Sequence, residues 1–111
     1  MLKELTQQYI KAFDAKDLKG VAELLSEAFA LEDPVVKRIE GKKDVLEAIR
    51  GIFDSCTSLS FKAKNIYQEN STTIIEFILQ LGETVLTGTD IIEWNDKGKM
   101  IELRAYLDIP K

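Results

Sequence analysis

Residues 86–94 of the chain read LTGTDIIEW, and residues 95–98 read NDKG. Successive side chains of an extended segment point to opposite faces, and a cluster of Asn, Asp and Gly favours a tight turn. The same pattern recurs on both sides of this segment. Strands are predicted at residues 59–68, 72–81, 84–94 and 99–108. Because short turns join antiparallel neighbours, this part of the chain is predicted to form an antiparallel meander.

The first half of the chain has helical periodicity instead. A first helix should stop near residues 14–16, and its apolar face would carry Leu2, Leu5, Tyr9, Ala12 and Phe13. A second should follow an Asp17 cap, with Leu18, Val21, Leu24, Leu25 and Phe29 buried. A third covers residues 41–53 and would bury Val45, Ile49, Ile52 and Phe53. Three helices followed by a meander predict an α+β domain whose helices cover one face of the sheet.

The size of the chain indicates a single domain spanning residues 1–111. Its 111 residues are 45% hydrophobic, a composition typical of a globular domain. A domain of this size can enclose one core and a small internal pocket, but not a large groove.

The residue inventory narrows the chemistry. The chain has no histidine, which excludes Ser-His-Asp and Cys-His catalysis and His-ligated metals. Acid–base chemistry would therefore fall to Asp, Glu, Lys or Tyr. The lone Cys56 cannot form an internal disulfide, which is typical of a reducing compartment and favours a cytoplasmic location. No metal-ligand spacing, phosphate loop or dinucleotide motif is present, so neither a metal nor a cofactor is expected.

Charge and hydropathy limit the partners. The formal net charge of −4 gives no source for the phosphate neutralisation that nucleic-acid binding needs. The basic pairs at residues 37–38 and 42–43 are interpreted as solvated loop charges. No apolar run approaches the roughly 18 residues of a membrane span, and the charged start at residues 1–4 lacks a signal-peptide core. An unprocessed soluble protein without nucleic-acid or membrane partners is expected.

Both faces of the predicted sheet carry apolar side chains. Ile75, Phe77 and Leu79 share one face of their strand, and Ile74 and Ile78 share the other. The helices can cover only one of these faces. A homodimer that buries the outer face is therefore expected.

Asp33 is the first polar residue that breaks an apolar pattern. In an extended backbone Asp33 would follow Phe29 and Leu31 onto the same face, and Pro34 restricts it to extended conformations. The carboxylate would then point inward with a fixed direction. The alternative is an Asp that bonds nearby backbone amides in a turn.

Asp90 is a sharper anomaly, because it shares a strand face with Leu86, Gly88, Ile92 and Trp94. Burying an ionised, unpaired carboxylate is so unfavourable that the group should either find a donor or bind a proton. A protonated Asp90 would be a hydrogen-bond donor near pH 7. The alternative is an Asp paired with an arginine or with backbone amides.

Tyr9 and Glu76 are further candidates. Tyr9 lies on the apolar face of the first helix, where its hydroxyl still needs a partner, although most such tyrosines anchor cores. Glu76 alternates with Ile74 and Ile78, and the preferred interpretation places it in solvent or at a dimer interface. Arg104 and Tyr106 are expected on the outer face.

Several segments together resemble the ketosteroid isomerase and SnoaL-like branch of the NTF2-like superfamily. The matching segments are residues 8–13, 17–18, 31–35, Gly41, 90–94 and 96–99. Each segment is weakly specific, but their order and intervals span nearly the whole chain. The resemblance implies a cystatin-like cone in which three N-terminal helices pack on a curved antiparallel sheet of four to six strands. It also implies a deep apolar pocket and, commonly, a dimer.

The resemblance assigns roles to the three anomalous residues. Asp33 falls where the isomerase has its general base, and Tyr9 and Asp90 fall where it has two oxyanion donors, the Asp being protonated. The implied reaction moves a proton next to the carbonyl of a small apolar substrate without a cofactor. The pocket would be lined by Phe13, Ile49, Phe53, Leu86, Ile92, Trp94, Leu103 and Leu107.

The chain also departs from the isomerase pattern. Leu25 and Ile49 stand where isomerases can place supporting tyrosines, and Leu107 stands where a pocket tryptophan can occur. These changes alter the wall that would hold a steroid and leave the substrate open. Two alternatives keep the scaffold: a SnoaL-like cyclase or hydrolase, and a non-catalytic module that binds a small ligand or a protein.

Overall fold

The computed structural model describes residues 1–35 and 37–108. The helices are α1 (Leu2–Asp14), α2 (Leu18–Leu24) and α3 (Lys42–Asp54). The strands are β1 (Leu25–Asp33), β2 (Lys37–Glu40), β3 (Leu59–Glu69), β4 (Thr72–Leu81), β5 (Thr84–Trp94) and β6 (Met100–Asp108). They form one sheet in the order β2-β1-β6-β5-β4-β3. The β1–β6 pair is parallel and the other pairs are antiparallel, so the predicted α+β class is confirmed.

The predicted extent of the second helix is wrong. Asp17 does cap α2, because its Oδ1 accepts a hydrogen bond from the Gly20 amide at 3.0 Å. The helix nevertheless ends at Leu24, and Leu25 and Phe29 belong to β1. A spacing of four residues fits one helical turn and also two strand repeats, so the apolar pattern could not distinguish the two. Partners on both sides decide it: β1 pairs with β2 and with β6.

The meander follows its predicted bounds closely. β4 and β5 have the predicted limits, β3 continues one residue further to Glu69, and β6 begins one residue later at Met100. The third helix is displaced by one residue, because Gly41 precedes it with a φ of 98°. A positive φ of this size favours glycine, so the residue acts as the helix boundary.

The helices and the inner face of the sheet enclose an aromatic core. The rings of Phe13, Phe53 and Phe61 lie within 5.0–5.1 Å of a neighbouring ring, and Phe61 also contacts Phe77 at 5.1 Å. Rings at these separations stabilise a core beyond the free energy of burial alone. The core thereby joins α1 and α3 to β3 and β4.

Ion pairs cover part of the opposite, outer face. The Arg38 guanidinium donates to Glu32 and Glu40 at 3.1 Å and to Glu102 at 2.9 Å. The basic pair at residues 37–38 is therefore not a loop charge, since it begins β2. Next to it, Arg104 bonds Glu93 at 3.0 Å and also contacts Glu102. The outer location predicted for Arg104 agrees with these contacts.

No helix in the described ranges is both long and apolar enough to cross a membrane.

Gly88 gives a direct test of packing between β5 and its neighbours. A Cβ atom at this position would lie 2.4 Å from the Tyr106 carbonyl oxygen and 2.9 Å from Phe77 Cζ. Gly88→Ala is therefore expected to lower the free energy of unfolding by about 1–3 kcal/mol, measured by urea denaturation. Gly51→Ala is the matched control, because nothing lies within 4 Å of its added Cβ. An equal effect of the two substitutions would contradict this packing.

Candidate active site

A cavity of about 100 Å³ lies between the helices and the inner face of the sheet. Apolar side chains form most of its wall, contributed by α1, α3 and four strands, β1, β3, β4 and β6. They are Phe13, Leu25, Phe29, Leu31, Ile49, Ile52, Phe61, Phe77, Leu79, Leu103, Ala105 and Leu107. Among the described residues that line it, only Tyr9, Asp33 and Asp90 carry polar side-chain atoms. The structure thus brings the three anomalous residues of the sequence to one apolar cavity.

Tyr9 reaches the cavity from α1. Its side chain is 6% exposed, and its ring packs near Phe13 and Phe61, with centroids 5.9 and 6.2 Å away. Burial, followed by the charge of Asp90, raises the pKa of the Tyr9 hydroxyl well above its ordinary value. The hydroxyl therefore keeps its proton at neutral pH and can donate a hydrogen bond into the cavity.

Asp90 lies on β5, where strand alternation directs its side chain inward. Its neighbours across the sheet are Ile75 on β4 and Ala105 on β6, and it is 4% exposed. Burial and, secondarily, the charge of Asp33 raise the pKa of the Asp90 carboxyl to about 8. At neutral pH the group is mostly protonated and can donate. Within residues 1–35 and 37–108, no group forms a hydrogen bond with the side-chain carboxyl of Asp90.

Asp33 is the last residue of β1 and is half-buried. Its Oδ1 accepts a hydrogen bond from the Val35 amide at 2.8 Å, which is the turn role considered as the alternative. The same side chain lines the cavity and also an outer groove of about 420 Å³. The turn bond and the cavity location therefore coexist, and Asp33 marks the junction of cavity and groove.

Half of the eight predicted pocket residues line the cavity, namely Phe13, Ile49, Leu103 and Leu107. The other four, Phe53, Leu86, Ile92 and Trp94, are not among the residues that line it. Ile92 and Trp94 continue the inner face of β5 beyond Asp90 and fill the buried core there. Leu86 lies toward the other end of β5, and Phe53 packs edge-on against the Phe13 ring at 5.0 Å.

Several lining residues carried a usable signal in the sequence. Phe29 and Leu31 alternate with Asp33 on β1, and Ala105 lies between Leu103 and Leu107 on the same face of β6. Each could have been assigned from strand alternation alone. Phe61 and Ile52 could not, because their place in the wall depends on how the helices lie on the sheet.

Glu76 lies on the outer face, as the preferred interpretation predicted. Its Oε1 accepts hydrogen bonds from Asn65 Nδ2 and from the Tyr67 hydroxyl, each at 3.0 Å. It is therefore directed away from the cavity and takes no part in the site.

The arrangement can support acid–base chemistry on an apolar ligand. Asp33 offers a carboxylate at the entrance, and Tyr9 and Asp90 offer two hydroxyl donors inside. In the two described ranges, no cluster of three or more Asp, Glu or Cys side chains could hold a metal ion.

Comparison with known proteins identifies the family and the fold. Residues 6–103 match the family described as the SnoaL-like domain. A candidate ketosteroid isomerase from Kribbella flavida DSM 17836 has a similar structure, with 19% identity and a TM-score of 0.85 over 99% of this chain and 79% of that one.

Two further structures have the same fold. An LEH-like epoxide hydrolase from M. tuberculosis has 18% identity and a TM-score of 0.80, over 96% of this chain and 82% of its own. A candidate SnoaL-like polyketide cyclase from Jannaschia sp. CCS1 has 14% identity and a TM-score of 0.85, over 96% and 85%. No curated protein gives a significant sequence match. The similarity confirms the NTF2-like, cystatin-like fold.

Asp90 should make the stability of the protein depend on pH. An unfolded Asp loses its proton near 3.8, whereas the folded group holds its proton up to about 8. Between these values the folded state binds the extra proton, so stability falls as the pH rises. Asp90→Asn removes this effect. The free energy of unfolding of Asp90→Asn minus that of wild type should therefore be larger at pH 9 than at pH 5. We expect the increase to be about 1.4 kcal/mol or more.

Thermal unfolding at several pH values measures this difference. Asp96→Asn is the control, because Asp96 is exposed in the turn before β6. Parallel pH profiles for wild type and Asp90→Asn would contradict the assignment.

Proposed function

Because the chain belongs to the SnoaL-like domain family, we propose that it is a cofactor-independent isomerase acting on a small apolar carbonyl compound. Asp33 is the proton-transfer base, and Tyr9 and protonated Asp90 bind the enolate oxygen. One observation carries this proposal: the only polar side chains in the described wall of an apolar cavity are one carboxylate at its entrance and two protonated donors inside.

The proposed reaction is balanced without any other reactant. The Asp33 carboxylate takes a proton from the carbon between a carbonyl and a carbon–carbon double bond. The electron pair of that C–H bond moves into a dienolate, whose oxygen accepts hydrogen bonds from Tyr9 and Asp90. The protonated Asp33 then returns the proton to the far carbon of the conjugated system. The product is the conjugated ketone, and the base is regenerated.

The apolar wall supports this chemistry. Hydrogen bonds to a developing negative charge contribute more in a site that excludes water, and donors already in place need no reorganisation. A positioned base contributes typically 10²–10⁴-fold in rate, and the loss of one oxyanion donor typically costs about 10²–10³-fold. Burial holds both groups in their protonated, donating form.

The size of the cavity selects the substrate. Its volume of about 100 Å³ is below the roughly 300–1,000 Å³ of ordinary ligand pockets, and an engineered apolar cavity of about 150 Å³ binds benzene. Because this cavity is smaller than the one that binds benzene, the part of the substrate that it holds is at most one small ring or a short chain. Any larger remainder would extend past Asp33 into the outer groove, whose other walls include Pro34, Lys37 and Tyr106.

Asp33 also supports a second candidate. Its carboxylate accepts a hydrogen bond from the Val35 amide, so its role could be to stabilise the turn and not to transfer a proton. The protein would then be a non-catalytic module that binds a small apolar ligand. Cyclase or hydrolase chemistry with Asp33 as acid–base would use the same cavity. Analysis of products from a panel of ketones and epoxides distinguishes these reactions.

Asp33→Asn tests the base directly. With 3-cyclohexenone as a one-ring substrate, we expect the variant to lower kcat/KM at least about 10²-fold, measured by absorbance of the conjugated product. The Asn side-chain oxygen can still accept the Val35 hydrogen bond, so the Tm should change little. Glu76→Gln, on the outer face, is the control and should retain wild-type activity.

Two results would oppose the proposal. Equal rates for wild type and Asp33→Asn would remove Asp33 from the reaction. Binding of the ketone by wild type without any turnover would favour the non-catalytic module.

We also propose that the protein is a homodimer through the outer face of the sheet. Tyr67, Ile78, Val85 and Tyr106 lie on that face and are exposed, with Tyr67 49% and Tyr106 55% accessible. Exposed apolar groups gathered on one face mark an association surface. Sedimentation equilibrium should give twice the chain mass of 12.6 kDa, and Ile78→Glu should give the single-chain mass. A wild-type protein that sediments as one chain would contradict the dimer.

A further inference from the structure

Three buried polar side chains link α1 to the centre of the sheet. The Thr6 and Thr73 hydroxyl oxygens are 2.8 Å apart, and Trp94 Nε1 lies 2.9 Å from the Thr73 oxygen. The Thr6 oxygen is also 2.7 Å from the Leu2 carbonyl oxygen. Thr6 and Thr73 are fully buried, and Trp94 is nearly so. This Thr6–Thr73–Trp94 link thus joins α1, β4 and β5 through the core.

The chemistry of the groups fixes the direction of these hydrogen bonds. An indole N–H only donates, and a carbonyl oxygen only accepts. Satisfying all three contacts requires Trp94 to donate to Thr73, Thr73 to donate to Thr6, and Thr6 to donate to Leu2. Thr73 is the central member, because it is the only one that accepts from one side chain of the link and donates to another.

The link lies beside the candidate site. Tyr9 follows Thr6 by three residues, so the two share one side of α1. Trp94 follows Asp90 by four residues, so the two share the inner face of β5. One end of the link is therefore a single helical turn from the Tyr9 donor, and the other is on the strand that carries the Asp90 donor.

A second polar contact holds the other end of α1. Asp14 Oδ1, at the end of the helix, accepts a hydrogen bond from the Phe61 amide of β3 at 2.8 Å. Tyr9 lies between these two attachments. The ring contacts of Tyr9 with Phe13 and Phe61 are less sensitive to small shifts than hydrogen bonds, which weaken steeply when their geometry is lost.

We propose that Thr73 is a positioning residue that sets the separation of the Tyr9 and Asp90 donors by fixing the first turns of α1 on the sheet. Thr73 is not among the residues that line the cavity. It acts through Thr6 on the helix and through Trp94 on the strand. The inference rests on the proposed function, in which both donors bind one oxygen atom.

Thr73→Val tests this role with phenol as the probe, because phenol is a single ring whose ionised form, phenolate, resembles an enolate. We expect Thr73→Val to weaken phenol binding about tenfold at a temperature well below its Tm, and Thr73→Ser to restore it. Thr72→Val is the matched control. Thr72 is the neighbouring residue, but its hydroxyl bonds Glu93 outside the cavity, so phenol affinity should not change.

A second measurement does not depend on turnover or on ligand binding. Loosening α1 admits water to Asp90, so its carboxyl pKa, followed by ¹³C NMR, should fall toward the ordinary value in Thr73→Val. It should stay near 8 in Thr73→Ser and Thr72→Val. The chain has one tryptophan, so the indole N–H signal of Trp94 reports directly whether the link is broken.

These measurements separate the two proposals. A displaced Trp94 signal with unchanged phenol affinity and unchanged Asp90 pKa would overturn the positioning role. If phenol affinity and the Asp90 pKa both change in Thr73→Val, but the wild-type protein does not isomerise ketones, the positioning role stands and the proposed isomerase activity is rejected. If Thr73→Val does not fold, Thr6→Val breaks the same contact from the helix side and should give the same changes.

Discussion

The burial of Asp90 is the constraint on which the rest of the inner surface depends. Strand alternation on β5 turns its side chain inward, and both flanking strands hold it in register through Ile75 and Ala105. A carboxyl group in such surroundings avoids the desolvation of a charge by keeping its proton. The sheet thereby gains a neutral acid that donates, set in a wall that is otherwise apolar. Tyr9, raised in pKa by the same burial, gives the cavity a second donor of the same kind.

The two donors come from elements with different kinds of support. β5 is held by continuous pairing with β4 and β6, so Asp90 has little freedom. α1 rests on side chains alone, through its aromatic contacts, the Thr6–Thr73–Trp94 link and the Asp14 bond to β3. A change in the separation of the Tyr9 and Asp90 donors therefore requires α1 to move relative to the sheet. Asp33 has a third kind of support, a hydrogen bond within its own turn, so its carboxylate is oriented independently of both.

The sequence was most informative where its apolar pattern fits the two-residue repeat of a strand but not the 3.6-residue repeat of a helix. Alternation from Leu86 to Trp94 fits only a strand, and it placed Asp90 inside the sheet correctly. The spacing from Leu25 to Phe29 fits both periods, and the prediction there was wrong. The four-residue strand β2 has a single apolar residue, Ile39, and left no pattern to detect. Strand alternation showed which face is buried, but not where along that face the helices leave a gap, so Trp94 and Leu86 were assigned to a cavity that ends before reaching them.

The parallel pairing of β1 with β6 has a consequence for folding. Leu31 is paired with Leu103, so the early strand has no neighbour on that side until β6 is available. Contacts between residues so distant in sequence slow folding, because a long loop must close before they form. The β1–β2 hairpin, which includes Asp33, and the β3–β5 hairpins need only local pairing and can form first, whereas the pairing of β1 with β6 must wait for β6. The space between Asp33 and Asp90 is thus completed only after β6 has taken its place between β1 and β5.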